Sequence, residues 1–125
     1  MTIRRQSQTI YASAARTTAQ TGQLLTAEEV RNSIFVFDCT VDPSTASVTP
    51  SILGVDPVNG NTYTILTGAA VAGVSTIELR VGPDFTAAAN VAANTMLPLK
   101  YRFDVAVANA ESLTYSVSVT HMVEN

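Results

Sequence analysis

The sequence LTYSVSVTHMV at residues 113–123 decides the fold class, because apolar and polar side chains alternate along it. The apolar positions are Leu113, Tyr115, Val117 and Val119, and Ser or Thr stands between them. A period of two is typical of a β-strand that buries one face. LPLKYRFDVAV at residues 97–107 alternates in the same way, with Leu99 and Val107 on the apolar face. We predict that these two segments form a hairpin.

Further segments toward the N-terminus also have strand character. They are residues 35–41, with Phe35, Phe37, Cys39 and Val41 on one face, and residues 47–55, 61–66 and 76–81. The sequence DPVNG at residues 56–60 is typical of a turn between two of them, since Pro fixes φ and Asn and Gly tolerate a positive φ. About six strands without a βαβ rhythm predict an antiparallel β-sandwich or jelly-roll-like fold.

One short helix is expected before the first of these strands, at residues 26–32. Thr26 and Glu29 have the spacing of a capping box. Residues 84–94 (DFTAAANVAAN) fit either a short helical turn or an irregular crossover, because Ala favours a helix and Asn interrupts it.

The charge divides the 125 residues into an arm (residues 1–23) and a body (residues 24–125). The arm has three arginines and no acid, whereas the body has four bases and ten acids, so the formal net charge of −3 separates into +3 and −6. Ser, Thr, Gln and Ala dominate the arm, and it has no sustained apolar period. We therefore predict an extended arm that is held by a partner and a single β-sandwich domain.

Composition makes several functions improbable. Three arginines in the arm are too few for strong phosphate binding, so we expect no nucleic-acid partner. The arginines at the start are not followed by an apolar stretch, so we expect no signal peptide. The longest weakly polar run is about half the ~20 residues of a membrane-spanning helix, so we expect no membrane anchor. One Cys and one His exclude an intrachain disulfide and a four-ligand zinc site within the chain. We expect folding in a reducing cytoplasm, without a cofactor.

The remaining reactive side chains each have a structural interpretation that we prefer. His121 continues the face of Val117 and Val119 and is expected at the rim of its strand, and no G-x-S-x-G motif accompanies it. Cys39 is expected to be a buried, inert thiol. Asp38 and Asp104 are expected to be solvated carboxylates rather than a glycosidase pair. Asp56, Asn59 and Asn61 are expected to serve the turn rather than Ca²⁺, because the calcium-loop pattern is missing. We therefore predict that the chain is not an enzyme and has no small-molecule substrate.

Several motifs resemble a family of short, single-domain virion structural proteins of tailed bacteriophages. The resemblance covers roughly residues 34–119. It rests on Gly54, Asp56-Pro57, Asn59-Gly60, Gly82-Pro83, the TAAAN sequence at residues 86–90, Leu97-Pro98 and the TYSV sequence at residues 114–117. The AART sequence at residues 14–17 is similar to the arm of such proteins. The resemblance implies a component of a phage particle, with an accessory head protein as the first expectation.

These expectations lead to a capsid decoration (cement) protein on the outer surface of a phage head. Its partners would be the major capsid protein and neighbouring copies of itself, for example in a homotrimer, with no membrane contact. The arm would cross to an adjoining subunit, with strand addition as one way of binding it. The residues expected to bind the partner are Ile3, Arg4, Arg5, Ile10, Tyr11 and Arg16.

Two other functions remain open at this point. One is a neck, tail or head-fibre subunit of the virion, where a β-sandwich also serves for assembly. The other is a carbohydrate-binding adhesion module that would use the polar loops at residues 56–61 and 84–94.

Overall fold

A computed structural model describes residues 2–42, 46–109 and 111–124. It confirms the predicted all-β sandwich, and the described residues contain no helix. The strands are β1 (Ile3–Arg16), β2 (Leu25–Thr26), β3 (Val30–Val41), β4 (Ser47–Val55), β5 (Thr62–Thr67), β6 (Val71–Ala72), β7 (Ser75–Val81), β8 (Ala92–Ala93), β9 (Lys100–Val107) and β10 (Leu113–Glu124).

The strands form two sheets that pack face to face. Sheet A has the order β1-β10-β3-β7-β8, and sheet B has the order β2-β9-β4-β5, with β6 also paired to β4. All pairs are antiparallel except β7 with β8. The sheets bury their facing sides between them, as the alternation in the sequence predicts. The largest fully buried side chains are Phe35, Phe37, Tyr101, Phe103, Tyr115, Ile52, Leu79 and Leu113.

The predicted hairpin of residues 97–107 with residues 113–123 is wrong. Both segments are strands, but β9 belongs to sheet B and pairs with β4, whereas β10 belongs to sheet A and pairs with β1 and β3. The chain crosses from one sheet to the other between them. Leu99 lies just before β9 and is 55% exposed, and Val41 lies at the end of β3 and is 49% exposed. The apolar alternation in the sequence therefore continues past the residues that are buried between the two sheets.

The predicted helix at residues 26–32 is also wrong. Thr26 ends β2, and Glu29 lies in a turn with φ of 57°, a left-handed conformation that a helix does not contain. The backbone N–H of Ala27 donates to the carbonyl of Leu99, so this segment is held along the edge of sheet B. The predicted turn at residues 56–60 is present between β4 and β5, and Gly60 has a φ of 78° there.

Residues 3–16 of the arm are part of sheet A, whereas Gln20 pairs with Val105 at the edge of sheet B. Residues 3–16 form β1, the longest strand, and pair with β10 along its whole length. Local sequence does not favour a strand in this Ser-, Thr- and Gln-rich segment. Its conformation follows from the backbone hydrogen bonds that β10 offers at the edge of the sheet.

Candidate partner-binding surface

The first half of β1, residues 3–9, is a regular edge strand. These residues pair one for one with residues 124–118 of β10, and the Oγ of Ser7 hydrogen-bonds the Oγ1 of Thr120 at 3.1 Å. Every side chain in residues 3–9 is exposed, although alternate ones point toward opposite faces of the sheet. The other edge of β1 has no neighbouring strand among the described residues. This half of the strand therefore presents unpaired backbone groups and two accessible faces.

The second half of β1 differs because two register shifts interrupt its pairing. They lie between Thr9 and Tyr11 and between Tyr11 and Ala14. The shifts turn the ring of Tyr11 toward the core, where it makes edge contacts with Phe103 and Tyr115. Its hydroxyl donates to the carbonyl of Phe103 in the opposite sheet at 2.7 Å. Desolvation, followed by the charge of Asp104, raises the pKa of Tyr11 to about 12.

Arg16 holds the irregular half of β1 through hydrogen bonds to backbone carbonyls. Its guanidinium donates to the carbonyls of Ala12 at 2.7 Å, Tyr115 at 2.8 Å and Ala14 at 3.2 Å. Its Cζ lies 4.7 Å from the ring centre of Tyr115 and 5.4 Å from that of Tyr11. Arg16 thus satisfies carbonyls that the bulges remove from the β-ladder.

The structure divides the six predicted partner-binding residues into two groups. Ile3, Arg4 and Arg5 are exposed at the start of β1, and Ile3 is 55% exposed. Ile10, Tyr11 and Arg16 contact the chain's own core or backbone. Within the described residues, Arg4 and Arg5 make no ion pair. Only the first group is therefore available to a partner without opening the sandwich.

A polar cleft runs between the edges of the two sheets on the side where β1 lies. Its wider part has a volume of about 510 Å³, and a continuation of about 320 Å³ shares Gln8 with it. The lining of the wider part includes Gln6, Gln8, Thr26, Glu28 and His121. We call this the inter-sheet cleft. Glu28 makes no ion pair within the described residues.

A second hollow lies on the outer face of sheet A and has an apolar floor. It has a volume of about 390 Å³ and is lined by Ile34, Phe85, Met122, Arg5, Asn32, Asp84 and Thr120. A neighbouring hollow of about 400 Å³ is lined by Ile3, Arg4, Arg5 and Met122. Because they share Arg5 and Met122, we treat them together as the outer-face hollow. An apolar floor beside Arg5, which makes no ion pair within the described part of the chain, is suited to an acidic, partly apolar protein surface.

The far side of the outer-face hollow is held by an ion pair. Asp84 accepts hydrogen bonds from Nε and Nη2 of Arg31 at 2.6 and 2.9 Å and from Nδ2 of Asn32 at 2.6 Å. The hydrogen bond from Arg31, followed by that from Asn32, lowers the pKa of Asp84 well below its usual range. A Cβ on Gly82 would lie 1.9 Å from Oδ1 of Asn32, so this loop needs a glycine to reach the sheet. Sequence reasoning missed Ile34, Phe85 and Met122, because the pairing of β3 with β10 and the position of this loop bring them together from distant parts of the sequence.

His121 is buried, so its predicted position at the rim is wrong, although it does continue the inward face of Val119. Its Nδ1 lies 2.6 Å from the Oγ of Ser33, and its Nε2 lies 3.2 Å from the hydroxyl of Tyr101. Burial lowers the pKa of His121. Ser33 is only 1% exposed. The arrangement satisfies three buried polar groups and offers a substrate no access to the hydroxyl of Ser33.

The other candidate reactive groups serve the fold. Cys39 is buried, and desolvation raises the pKa of its thiol. Asp38 accepts a hydrogen bond from Thr76, and Asp104 accepts bonds from Arg102 and the backbone N–H of Gly22. Within the described residues, no three His, Cys, Asp or Glu side chains lie together as a metal site.

The polar loops considered for carbohydrate binding use their side chains internally. Asp56 accepts the N–H of Val58, and Asn59 accepts the N–H of Asn61. In the other loop, Asn90 and Asn94 donate to backbone carbonyls. None of the described segments forms a helix that is long and apolar enough to cross a membrane.

The fold is shared with solved structures of prophage, bacterial and viral proteins. The SPBc2 prophage-derived protein YomS matches with a TM-score of 0.59 and 15% identity, over 98% of this chain and 96% of its own. A chain from Bacillus endospore appendages, which form disulfide-linked pili, matches with a TM-score of 0.51 and 17% identity, over 98% of this chain and 90% of its own. A chain of the infectious bursal disease virus Gx strain matches with a TM-score of 0.52 and 11% identity, over 97% of this chain and 32% of its own.

No protein-family model matches the sequence, and no curated protein is significantly similar to it. At 11–17% identity, the structural matches show a common fold.

Proposed function

We propose that the chain is a bacteriophage capsid decoration (cement) protein, which binds the outer surface of the head and stabilises contacts between capsomers. The observation that carries the proposal is the outer-face hollow, where the exposed Ile3 and Arg5 adjoin an apolar floor. The fold shared with a prophage-derived protein and a virus structure supports a role in a virion. The resemblance of the turn motifs to phage virion proteins supports it independently.

The proposed contact is a docking of the outer-face hollow onto an acidic patch of the major capsid protein. Arg5 would pair with a carboxylate at the rim, and Ile3, Phe85 and Met122 would cover an apolar side chain. Each contact is modest, but many copies on one shell raise the effective concentration of the next contact. This role needs no cofactor and no catalytic group.

The proposal is tested by co-sedimentation with phage heads that lack this protein. We expect Arg5→Glu to weaken binding by about tenfold or more, because it places a carboxylate against acids of the shell. Arg80→Glu is the matched control, since Arg80 is an exposed arginine of the same sheet that pairs with Glu78. It should change binding by less than about twofold.

Two results would contradict the proposal. If the unchanged protein does not bind heads, the decoration role is wrong. If Arg5→Glu binds as well as Arg80→Glu, the outer-face hollow is not the contact. Deleting the arm is a poor probe, because it would remove β1 from β10 and Tyr11 from the core.

A neck, tail or head-fibre subunit is the second candidate. The match to a chain of endospore appendages favours it, because the same fold occurs in a fibre-forming protein. Copy number in a particle map separates the two, since decoration requires on the order of hundreds of copies and a neck or tail position about a dozen or fewer.

A further inference from the structure

We propose that two copies of the chain associate through the free edge of β1, with residues 3–9 of one copy antiparallel to residues 3–9 of the other. The two-fold axis would pass beside Gln6. The association would join the two five-stranded A sheets into one continuous sheet. This inference goes beyond binding to a shell and beyond the expected contact with neighbouring copies, because it names the edge, the register and a two-fold axis for that contact.

The first argument is the character of the edge itself. Edge strands are usually protected from pairing by charged side chains, Pro, bulges or short length. Residues 3–9 have no Pro, pair with β10 without a register shift and carry only exposed side chains. Their two charged residues, Arg4 and Arg5, have the same sign, so they block a further strand only if it brings another cation against them. The bulges begin after Thr9 and end the regular stretch there. This half of β1 is therefore an open template for one more strand.

The second argument fixes the register. An antiparallel pair that uses the whole regular stretch aligns Ile3 with Thr9, Arg4 with Gln8 and Arg5 with Ser7, and leaves Gln6 opposite itself. No arginine then faces an arginine. A parallel pair in register would stack Arg4 on Arg4 and Arg5 on Arg5, which like-charge repulsion disfavours.

The third argument is charge complementarity across this register. Arg4 and Gln8 lie opposite Val123 and Val119, whose side chains are buried, so all four point to the inner face of sheet A. Gln8 and Glu28 both line the inter-sheet cleft. The partner's Arg4, placed beside Gln8, would therefore enter the cleft that Glu28 also lines. Arg4 and Glu28 each make no ion pair within the described part of their own chain, and the two-fold axis supplies one pair on each side.

The association leaves the shell contact free. Arg5 lies opposite Met122 and points to the outer face, where it lines the outer-face hollow. Arg4 would thus serve the contact between copies, and Arg5 the contact with the shell. The two proposals can fail separately.

Cysteine cross-linking of the full chain tests the register directly. In Gln6→Cys, the two introduced thiols would lie on residues directly opposite each other, with Cα atoms about 4.5–5.5 Å apart, within reach of a disulfide. In the control Gln8→Cys they would lie about 13 Å apart, too far to be bridged. The native Cys39 is 1% exposed and leaves the introduced cysteine as the accessible thiol.

Under mild oxidation, we expect Gln6→Cys to form a disulfide dimer at least about tenfold faster than Gln8→Cys at equal concentration. A mixture of Arg4→Cys and Gln8→Cys should form the mixed dimer in preference to either homodimer. Equal, slow rates for all variants would overturn the proposal, and so would faster cross-linking of Ser7→Cys than of Gln6→Cys. The cross-linking is measured in the absence of phage heads, which separates this test from the test of shell binding.

Charge reversal tests the ion pair. Sedimentation velocity from about 10 μM to about 1 mM should show a dimer that weakens as salt is added. We expect Arg4→Glu and Glu28→Arg each to weaken it by about fivefold or more, and the double variant to recover most of the affinity. Denaturant unfolding of each variant confirms that it is folded. Failure of the double variant to recover, with all three variants folded, would overturn the pairing of Arg4 with Glu28.

Discussion

Both halves of β1 pair with β10, but they differ in the regularity of the pairing and in what their side chains contact. Residues 3–9 pair regularly with β10 and leave every side chain exposed, whereas residues 10–16 pair irregularly and place Tyr11 against the core. The irregular half is the one that holds the strand, because its bulges allow a side chain to reach the opposite sheet. The regular half buries none of its side chains and is therefore free to meet a partner. Regular pairing alone thus does not show which part of a strand stabilises the fold.

The largest expected difference between the halves is the effect of removing Tyr11. Tyr11→Ala should lower the free energy of unfolding by about 3 kcal/mol, because it removes ring packing and the hydrogen bond to Phe103. Ser7→Ala, in the regular half, should change it by less than about 0.5 kcal/mol. Urea unfolding monitored by circular dichroism measures both. Similar losses for the two variants would show that the halves contribute alike.

A smaller difference is expected between Arg16 and Arg4. Arg16→Ala should cost about 2 kcal/mol, since it leaves the carbonyls of Ala12 and Tyr115 without their charged donor and removes two cation–π contacts. Arg4→Ala should cost less than about 0.5 kcal/mol. The same unfolding measurement tests this pair, and Arg16→Lys, which lacks the planar fork, should recover only part of the loss.

A third expected effect is a pH dependence of stability, which arises at His121, opposite Gln6 of the regular half. Burial lowers the pKa of His121 in the folded state, so below the ordinary value of about 6.5 the unfolded chain binds a proton that the folded chain does not. Stability should therefore fall as the pH falls from 7 to 5, by at most about 1.4 kcal/mol per pH unit.

The control for this pH dependence is His121→Gln, which cannot titrate. Its stability should depend less on pH over the same interval, whatever its absolute stability. The interval stays above the titration of Asp84, whose lowered pKa contributes a loss only in more acidic solution. An unchanged slope in His121→Gln would show that another group is responsible.

The alternation of side chains predicted most of the core, although Leu99 and Val41 follow the same pattern and are exposed. Phe35, Phe37, Tyr101, Phe103 and Tyr115 are all buried as their spacing indicates. The same alternation could not predict the neighbours of a strand, because β9 and β10 face each other across the core with equivalent patterns. It therefore predicted a hairpin where the chain passes between sheets.

The strand character of β1 was not predictable from its own residues. Its Ser-, Thr-, Gln- and Ala-rich sequence has no sustained apolar period, and its conformation depends on β10, which is distant in sequence. The contacts of Tyr11 and Arg16 with the chain's own core follow from two bulges, which no residue pattern in this segment predicts. The exposure of Arg4 and Arg5 could be predicted, because two adjacent arginines in a polar segment have no place in a core.

The pairing of β1 with β10 also sets the order in which the molecule is completed. Ser7 and Thr120 meet in the folded chain although they are 113 residues apart in sequence. Such distant contacts form slowly, and β1 leaves the ribosome long before β10 is available to pair with it. Until then both edges of β1 are open. A nascent chain beside an already folded copy could therefore meet that copy's free β1 edge before its own β10, so assembly between molecules would compete with the last step of folding.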